Sequence, residues 1–215
     1  MLAARREKDL VQIADAIAAA GGRCSVAKLD ITDPASIAAL EPRLLDLDIL
    51  VNNAGIARQG PVPEQSEADW DAVVDTNLKG LFLMAKAAVR AMRSHGRGGS
   101  IINIASIMGL RQGGNLLPYG VSKAGVVQMT KLLALELARF RIRVNAIAPG
   151  YFETDINASF FETEAGRAML RRIPQRRLGQ PGDLDGPLLL LASKASAYMT
   201  GSVLVVDGGH MVSGL

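Results

Sequence analysis

Residues 100–123 read Ser100-Ile-Ile-Asn-Ile-Ala-Ser106, then a Gly-rich loop to Pro118, then Tyr119-Gly-Val-Ser-Lys123. The first part is a short β-branched run of the kind that forms a buried parallel strand, and it ends on a small hydroxyl residue. Pro118 suits the first turn of a helix because its φ is already fixed there. Tyr119 and Lys123 stand four residues apart on that helix, so both side chains leave from one face, where a hydroxyl at the strand end can meet them. A free phenol titrates near pH ~10, too high to exchange protons readily at neutrality. An ammonium about 4 Å away, at an effective dielectric near 20, favours the phenolate by about 4 kcal/mol, or roughly 3 pH units before desolvation opposes it. Tyr119 is then expected to act as general acid or base near pH 7, with Ser106 holding the oxygen of a carbonyl or alcohol beside it. Each residue alone has a plainer explanation: a Tyr-x-x-x-Lys pair is a common helix-surface contact, Ser106 a strand-end turn residue and Asn77 a polar helix residue.

Ser106, Tyr119 thirteen positions on and Lys123 four further, together with Asn77 in Asp75-Thr-Asn77-Leu-Lys-Gly80, resemble the active site of the short-chain dehydrogenase/reductase family. Five separate motifs fall in that family's order, and the resemblance covers nearly the whole chain. It implies one Rossmann-like domain over residues 1–215, a doubly wound parallel sheet in an α/β/α three-layer arrangement. It implies reversible hydride transfer between a nicotinamide cofactor and a carbonyl or secondary alcohol. Tyr119 would transfer the proton, Lys123 would lower its pKa and hold the nicotinamide ribose, Ser106 would orient the oxygen, and Asn77 would hold a water that relays protons from lysine. The motif spacing resembles both 3-oxoacyl-carrier-protein reductases and gluconate or polyol dehydrogenases, without choosing between them.

From its start, Met1-Leu-Ala-Ala-Arg5-Arg6 resembles the tail of the family's second strand, followed by a helix to about Ala20 with Leu10, Val11, Ile13, Ala14 and Ile17 facing inward. A strand ending in arginine, where an acidic residue would accept from ribose hydroxyls, favours a 2′-phosphate at Arg5 and hence NADP, with NAD as the alternative. Cys24 to Leu29 is the next strand, with Asp30 and Ile31 at its carboxyl end, where doubly wound sheets place ligands. In the family the residue matching Asp30 hydrogen-bonds adenine; Asp33 before Pro34 supplies the helix cap. Ile49-Leu-Val-Asn52-Asn53-Ala54-Gly55 is a strand and a small-residue turn that lets backbone approach a ligand. The resemblance places Asn52, Ala54 and Gly55 at the cofactor. A helix runs from about Ser66 through Lys79 toward Met92, and the one after Tyr119 reaches about Phe140.

That last helix is apolar almost all round, more than one buried stripe requires, and with the family's habits it implies a homo-oligomer, a tetramer or dimer. Arg141 to Gly150 is another strand and turn. By resemblance Pro149, Gly150 and Thr154 contact the nicotinamide. Residues 155–178 resemble the family's variable substrate lid. Thr200 to Gly209 is the closing strand.

With 49% apolar and only 4% aromatic residues, the core must be built from Ala, Val, Leu and Ile, as alternating strands and helices usually are. The net charge of +3 is small, and no aromatic residues interleave with Arg171, Arg172, Arg176 and Arg177, so nucleic acid is not an expected partner. Cys24 is the sole cysteine, which fits a reducing cytoplasm, and neither a signal peptide nor a run of transmembrane length is seen. His95 and His210 sit in no metal-ligand spacing and read as loop residues.

The family's first strand and its Thr-Gly-x-x-x-Gly-x-Gly turn find no match, so the sheet is expected to be N-terminally truncated. Ile49 to Val51 would keep an open edge and Cys24 to Leu29 would lack its usual neighbour. A misplaced start site is the favoured explanation. The alternative function is a non-catalytic subunit that keeps the fold but binds dinucleotide poorly.

Overall fold

The structure is a computed structural model and describes residues 1–153, 161 and 163–213. Among the described residues the order is β1 (Leu2–Ala4), α1 (Glu7–Ala19), β2 (Val26–Lys28), α2 (Pro34–Leu40), β3 (Ile49–Asn52), α3 (Glu67–Val74), α4 (Leu81–His95), β4 (Gly99–Ile104), α5 (Leu117–Leu137), β5 (Ile142–Pro149), α6 (Glu164–Leu170), α7 (Asp185–Ala192) and β6 (Val203–Val206). Every strand pair is parallel: β3-β4-β5-β6 form one sheet and β1-β2 a second. This is the expected α/β architecture.

The layers follow from two adjacent isoleucines in β4. Ile101 and Ile102 are both fully buried although successive side chains point to opposite faces of a strand, so both faces must be covered. Ile101 packs with Met84, Ala88 and Met92 of α4 and Ala134 of α5. Ile102 packs with Ile147 of β5 and Leu191 of α7. Hydrogen bonds do not join the two sheets, but the first of these clusters does: Ala27 of β2 and Leu29 share it with Leu50 of β3 and Val144 of β5.

Some expectations change. β2 has its neighbour after all, because β1 pairs with it in register Leu2↔Val26 to Ala4↔Lys28. The expected open edge on β3 is present, and Ile49 and Val51 there are 42% and 41% exposed. α1 buries only Leu10, whereas Val11 and Ile13 are about half exposed, because the ribbon it rests on has just three residues in each strand. His210, read as a loop residue, is buried at the start of a short 3₁₀ turn, and His95 closes α4.

Small residues set the spacing of these layers. A Cβ on Gly80 would lie 2.8 Å from a side-chain carbon of Ile31, and one on Gly125 2.8 Å from a methyl of Leu78. Between the layers runs a buried polar ladder. Asn52 Nδ2 donates to Asn103 Oδ1 (3.0 Å), Asn103 Nδ2 donates to Thr130 Oγ1 (2.9 Å), and Thr130 Oγ1 donates to the Val126 carbonyl (2.8 Å). It pins β3 to β4 and β4 to α5. Truncating Asn103 strands two polar partners at once, so Asn103→Ala should lower the unfolding free energy by about 2–3 kcal/mol. The midpoint and slope of urea unfolding measure it; a loss under about 0.5 kcal/mol would mean that the ladder contributes nothing.

Candidate active site

The carboxyl ends of β3, β4 and β5 carry the groups that the sequence singles out. Ser106 follows β4 in extended backbone, and its Oγ accepts from the Met108 amide at 3.1 Å, starting a 3₁₀ turn over Ile107–Gly109. That turn lies tight against α5: a Cβ on Gly109 would sit 2.6 Å from the Lys123 carbonyl carbon. Only glycine lets the loop carrying Ser106 come so close to the helix carrying Tyr119 and Lys123. The Tyr119 phenol lies near enough to the Ser106 hydroxyl to feel it electrostatically. The strand-end hydroxyl and the helix phenol therefore meet as the spacing implies.

Lys123 is buried, and its Nζ donates to the Ile104 carbonyl at 2.8 Å. It stands 5.7 Å from the centroid of the Tyr119 ring. The electrostatics differ from the simple expectation of a phenol drawn toward neutrality. Burial pushes the Tyr119 phenol up from its ordinary value, and the nearby Ser106 hydroxyl opposes that rise. Burial also pushes the Lys123 ammonium down from 10.5 to about 8. The reason is positional. The ammonium faces the end of β4 and the ring, so its direct hydrogen bond goes to a backbone carbonyl.

Asn77 lies in a π-helical turn, Asp75–Gly80, between α3 and α4. Such wide turns often mark functional positions in helices. Its side chain is fully buried: Oδ1 accepts from the Ile56 amide at 2.8 Å, while Nδ2 donates to the Ile56 carbonyl at 2.8 Å and to Ser122 Oγ at 3.1 Å. Ser122 in turn donates to the Tyr119 carbonyl at 2.8 Å. Ser122 was not picked out in the sequence, although it sits between Tyr119 and Lys123 on the buried side of the helix. A Cβ on Gly55 would come within 3.3 Å of Asn77 Oδ1 and 3.4 Å of Lys123 Nζ, so the turn after β3 closes on the same spot. Gly55, Asn77, Ser106, Tyr119 and Lys123 are thus brought together.

The other candidates divide. The Asn52 side chain is committed to the buried ladder, which leaves its backbone to face a ligand; Ala54 is exposed beside it. Ile31 packs into the core against Gly80. Asp30 Oδ1 accepts from the Thr32 amide (2.9 Å) and hydroxyl (2.7 Å), and these bonds hold its carboxyl below the usual range. Arg5, exposed after β1, lies near enough to add to that lowering, whereas Arg6 is paired with Asp9 at 2.9 Å. Pro149 and Gly150 end β5, with Gly150 pressed against Asp207. Thr154 lies outside the described residues. The described residues contain no cluster suited to a metal ion and no helix long and apolar enough to cross a membrane.

The chain and its fold have known relatives. A family model described as enoyl-(acyl carrier protein) reductase matches residues 1–211. The chain is 45% identical over 179 residues to 2-dehydro-3-deoxy-D-gluconate 5-dehydrogenase of Escherichia coli K12, covering 79% of this chain and 71% of that protein. It is 41% identical over 188 residues to the 3-oxoacyl-(acyl-carrier-protein) reductase FabG of Thermotoga maritima, covering 86% of this chain and 76% of that one. The crystal structure of a gluconate 5-dehydrogenase from Burkholderia cenocepacia J2315, in complex with NADP and tartrate, superimposes with a TM-score of 0.93 at 34% identity, over 99% of this chain and 85% of that one.

The position of Lys123 leads to a direct test. In ¹³C NMR of methyl-labelled lysines, one resonance, lost in Lys123→Met, should titrate near pH 8. Because the folded value is depressed, the unfolded chain holds this proton up to about 10.5 while the folded chain releases it from about 8, so Lys123 makes stability rise with pH across that window. A Lys123 signal titrating above 10 would show that the ammonium is solvated.

Proposed function

The chain belongs to the short-chain dehydrogenase/reductase family, and from that premise we propose a proton-transfer site in which Tyr119 works with Ser106, Lys123 and Asn77. The chain is an oxidoreductase, moving a hydride between NADP(H) and a carbonyl or secondary alcohol. The observation that carries the assignment of residues is the packing of the Ser106 turn against α5, where the buried Lys123 ammonium bonds the end of β4 beside the Tyr119 ring.

The residues present fit a dinucleotide. Gly55 leaves open a cradle beside Asn77 and Lys123 that a Cβ would fill, and the exposed Arg5 guanidinium has no carboxylate partner among the described residues. Arg5 would take a 2′-phosphate, and the Asn52–Gly55 backbone, Asp30, Ile31, Pro149, Gly150 and Thr154 would line the remainder. When bound, the nicotinamide supplies or accepts the hydride. The chain does the rest: Ser106 donates a hydrogen bond to the reacting oxygen, and the Tyr119 hydroxyl delivers a proton to it in reduction and removes one in oxidation. The Lys123 ammonium stabilises the phenolate formed on that proton transfer and keeps two N–H groups free for a ribose. Asn77 clamps Ile56 to Ser122 and so positions Tyr119, and the second lone pair of its Oδ1 remains for a relaying water.

The reading extends to assembly and setting. Leu132 and Leu135 of α5, 51% and 79% exposed, and Phe82 of α4, 46% exposed, form apolar surface suited to a second copy, so the protein works as a homo-oligomer. Its lone Cys24 suits a reducing cytoplasm. Of the expected substrate lid at 155–178, residues 155–160 and 162 lie outside the described residues; the described Phe161 stands edge-on to Tyr151 at 6.2 Å, which supports reading this segment as the substrate-side cover.

Tyr119→Phe should cut kcat by about three orders of magnitude or more while leaving the Kd for NADPH within about threefold. Retained turnover within a few fold would end the proton-transfer role. Arg5→Ala should weaken NADPH at least tenfold, on the order of 1.4 kcal/mol, and NADH little. Isothermal titration with both cofactors reads the difference, and equal losses would shift the preference away from NADP.

A further inference from the structure

Beyond Tyr119 lies a second group of polar side chains that the proton-transfer site does not use. The Arg111 guanidinium, on the loop after Ser106, donates through Nη1 to the His210 carbonyl, tying that loop to the turn after β6. The Arg111 amide donates to the Ile107 carbonyl at 2.8 Å, so its backbone is continuous with the turn that positions Ser106. The His210 imidazole packs on the Tyr151 ring at 5.6 Å. Tyr151 feels both the charge of Arg111 and the presence of Tyr119, so Arg111, Tyr151, His210 and Tyr119 occupy one neighbourhood.

The charge balance of this group is one-sided. Arg111 forms no ion pair among the described residues, and apart from the bond to His210 its guanidinium has no acceptor there. Burial, joined by the charge of Arg111 and more weakly by that of a second cation, Arg172, pushes the His210 imidazole below its usual value. Among the described residues the carboxylate that acts on His210, Asp207, is occupied by the amides of Gly209 (2.8 Å) and Met211 (2.6 Å). His210 is 94% buried, with 6% of its surface exposed, yet its Nδ1 has no hydrogen-bond partner among the described residues. A guanidinium with no carboxylate partner among the described residues, on the loop that follows Ser106, and a buried imidazole with a spare polar atom are what an anionic substrate group needs. A planar guanidinium matches a carboxylate with two parallel N–H···O bonds.

We propose that Arg111, anchored on His210 and flanked by Tyr151, seats the carboxylate of a small hydroxy or keto acid while Tyr119 and Ser106 act on a carbonyl or hydroxyl elsewhere on the same molecule. This rests on the oxidoreductase reading above and adds to it the class of substrate. It makes Arg111 a specificity-determining residue and makes a neutral 3-oxoacyl thioester or a neutral polyol the poorer substrate.

The test uses the purified protein, NADP⁺, and a panel of sugar acids, each paired with the alditol that carries a hydroxymethyl group in place of the carboxylate. The acids should exceed their alditols by at least about 100-fold in kcat/KM. Arg111→Gln should remove that preference by lowering the acids alone, Arg111→Lys should keep part of it, and the Kd for NADPH should stay within about twofold in both variants. Equal turnover of acids and alditols, or a loss in Arg111→Gln shared by both, would overturn the assignment. A binding arm needs no turnover: saturation-transfer NMR with gluconate should show binding to the wild type that Arg111→Gln loses and Arg111→Lys retains. Failure to turn over any pair while gluconate still binds through Arg111 would count against the hydride-transfer reading and for the carboxylate seat. Gluconate binding that is absent in the wild type or unchanged in Arg111→Gln would count against the seat.

Discussion

The hydrogen bond from the Lys123 ammonium to the Ile104 carbonyl is the contact on which the site depends. Taking an ammonium out of water is costly, and a 2.8 Å charge-assisted bond to the end of the central strand is the main direct return. It fixes the first turns of α5 against β4. Once that helix is seated, Tyr119 must reach back toward Ser106, and the loop between them must pass so near the helix backbone that only Gly109 fits. The Asn77–Ser122 bond adds a third support from α4's side of the domain.

The same economy of space appears throughout a core with few aromatic residues. Layers built from Ala, Val, Leu and Ile lie close together, so glycines stand where backbone meets side chain, as Gly80 does against Ile31 and Gly125 against Leu78. Polar groups enter that core only as closed sets. Asn52, Asn103 and Thr130 satisfy one another across three elements, which keeps the desolvation of their amides from becoming a net loss.

Much of this could be read from residue types and spacing, for reasons visible in individual residues. The run Ile101-Ile-Asn-Ile104 and the four-residue step from Tyr119 to Lys123 report periodicity, which determines which face a side chain leaves from. Periodicity does not report where a flexible side chain ends. Lys123 turned to a carbonyl and lay over the ring, so the phenol is held up by burial and the expected lowering is not seen in this structure. The role of Asn103 is not legible in the sequence because its partners, Asn52 and Thr130, are distant in the chain. Val11 and Ile13 had the right spacing for a buried stripe, but a narrow two-stranded ribbon cannot cover them. His210 looked like loop because its burial comes from Tyr151 and Arg111, on other segments.

The wide turn at Asp75–Gly80 has a consequence for how chain length can vary. An α-helix advances ~100° per residue, so the one extra residue held in a π turn offsets the phase of everything beyond it relative to what came before. Asn77 aims at Ser122 and Leu81, Met84 and Ala88 lie over the sheet only because that offset is present. Deleting a single residue between positions 75 and 80 would restore a regular helix and turn one of those two sets by more than a quarter revolution. Surface loops in general absorb insertions and deletions, whereas this buried segment cannot change by even one residue without parting Asn77 from the helix that holds Tyr119.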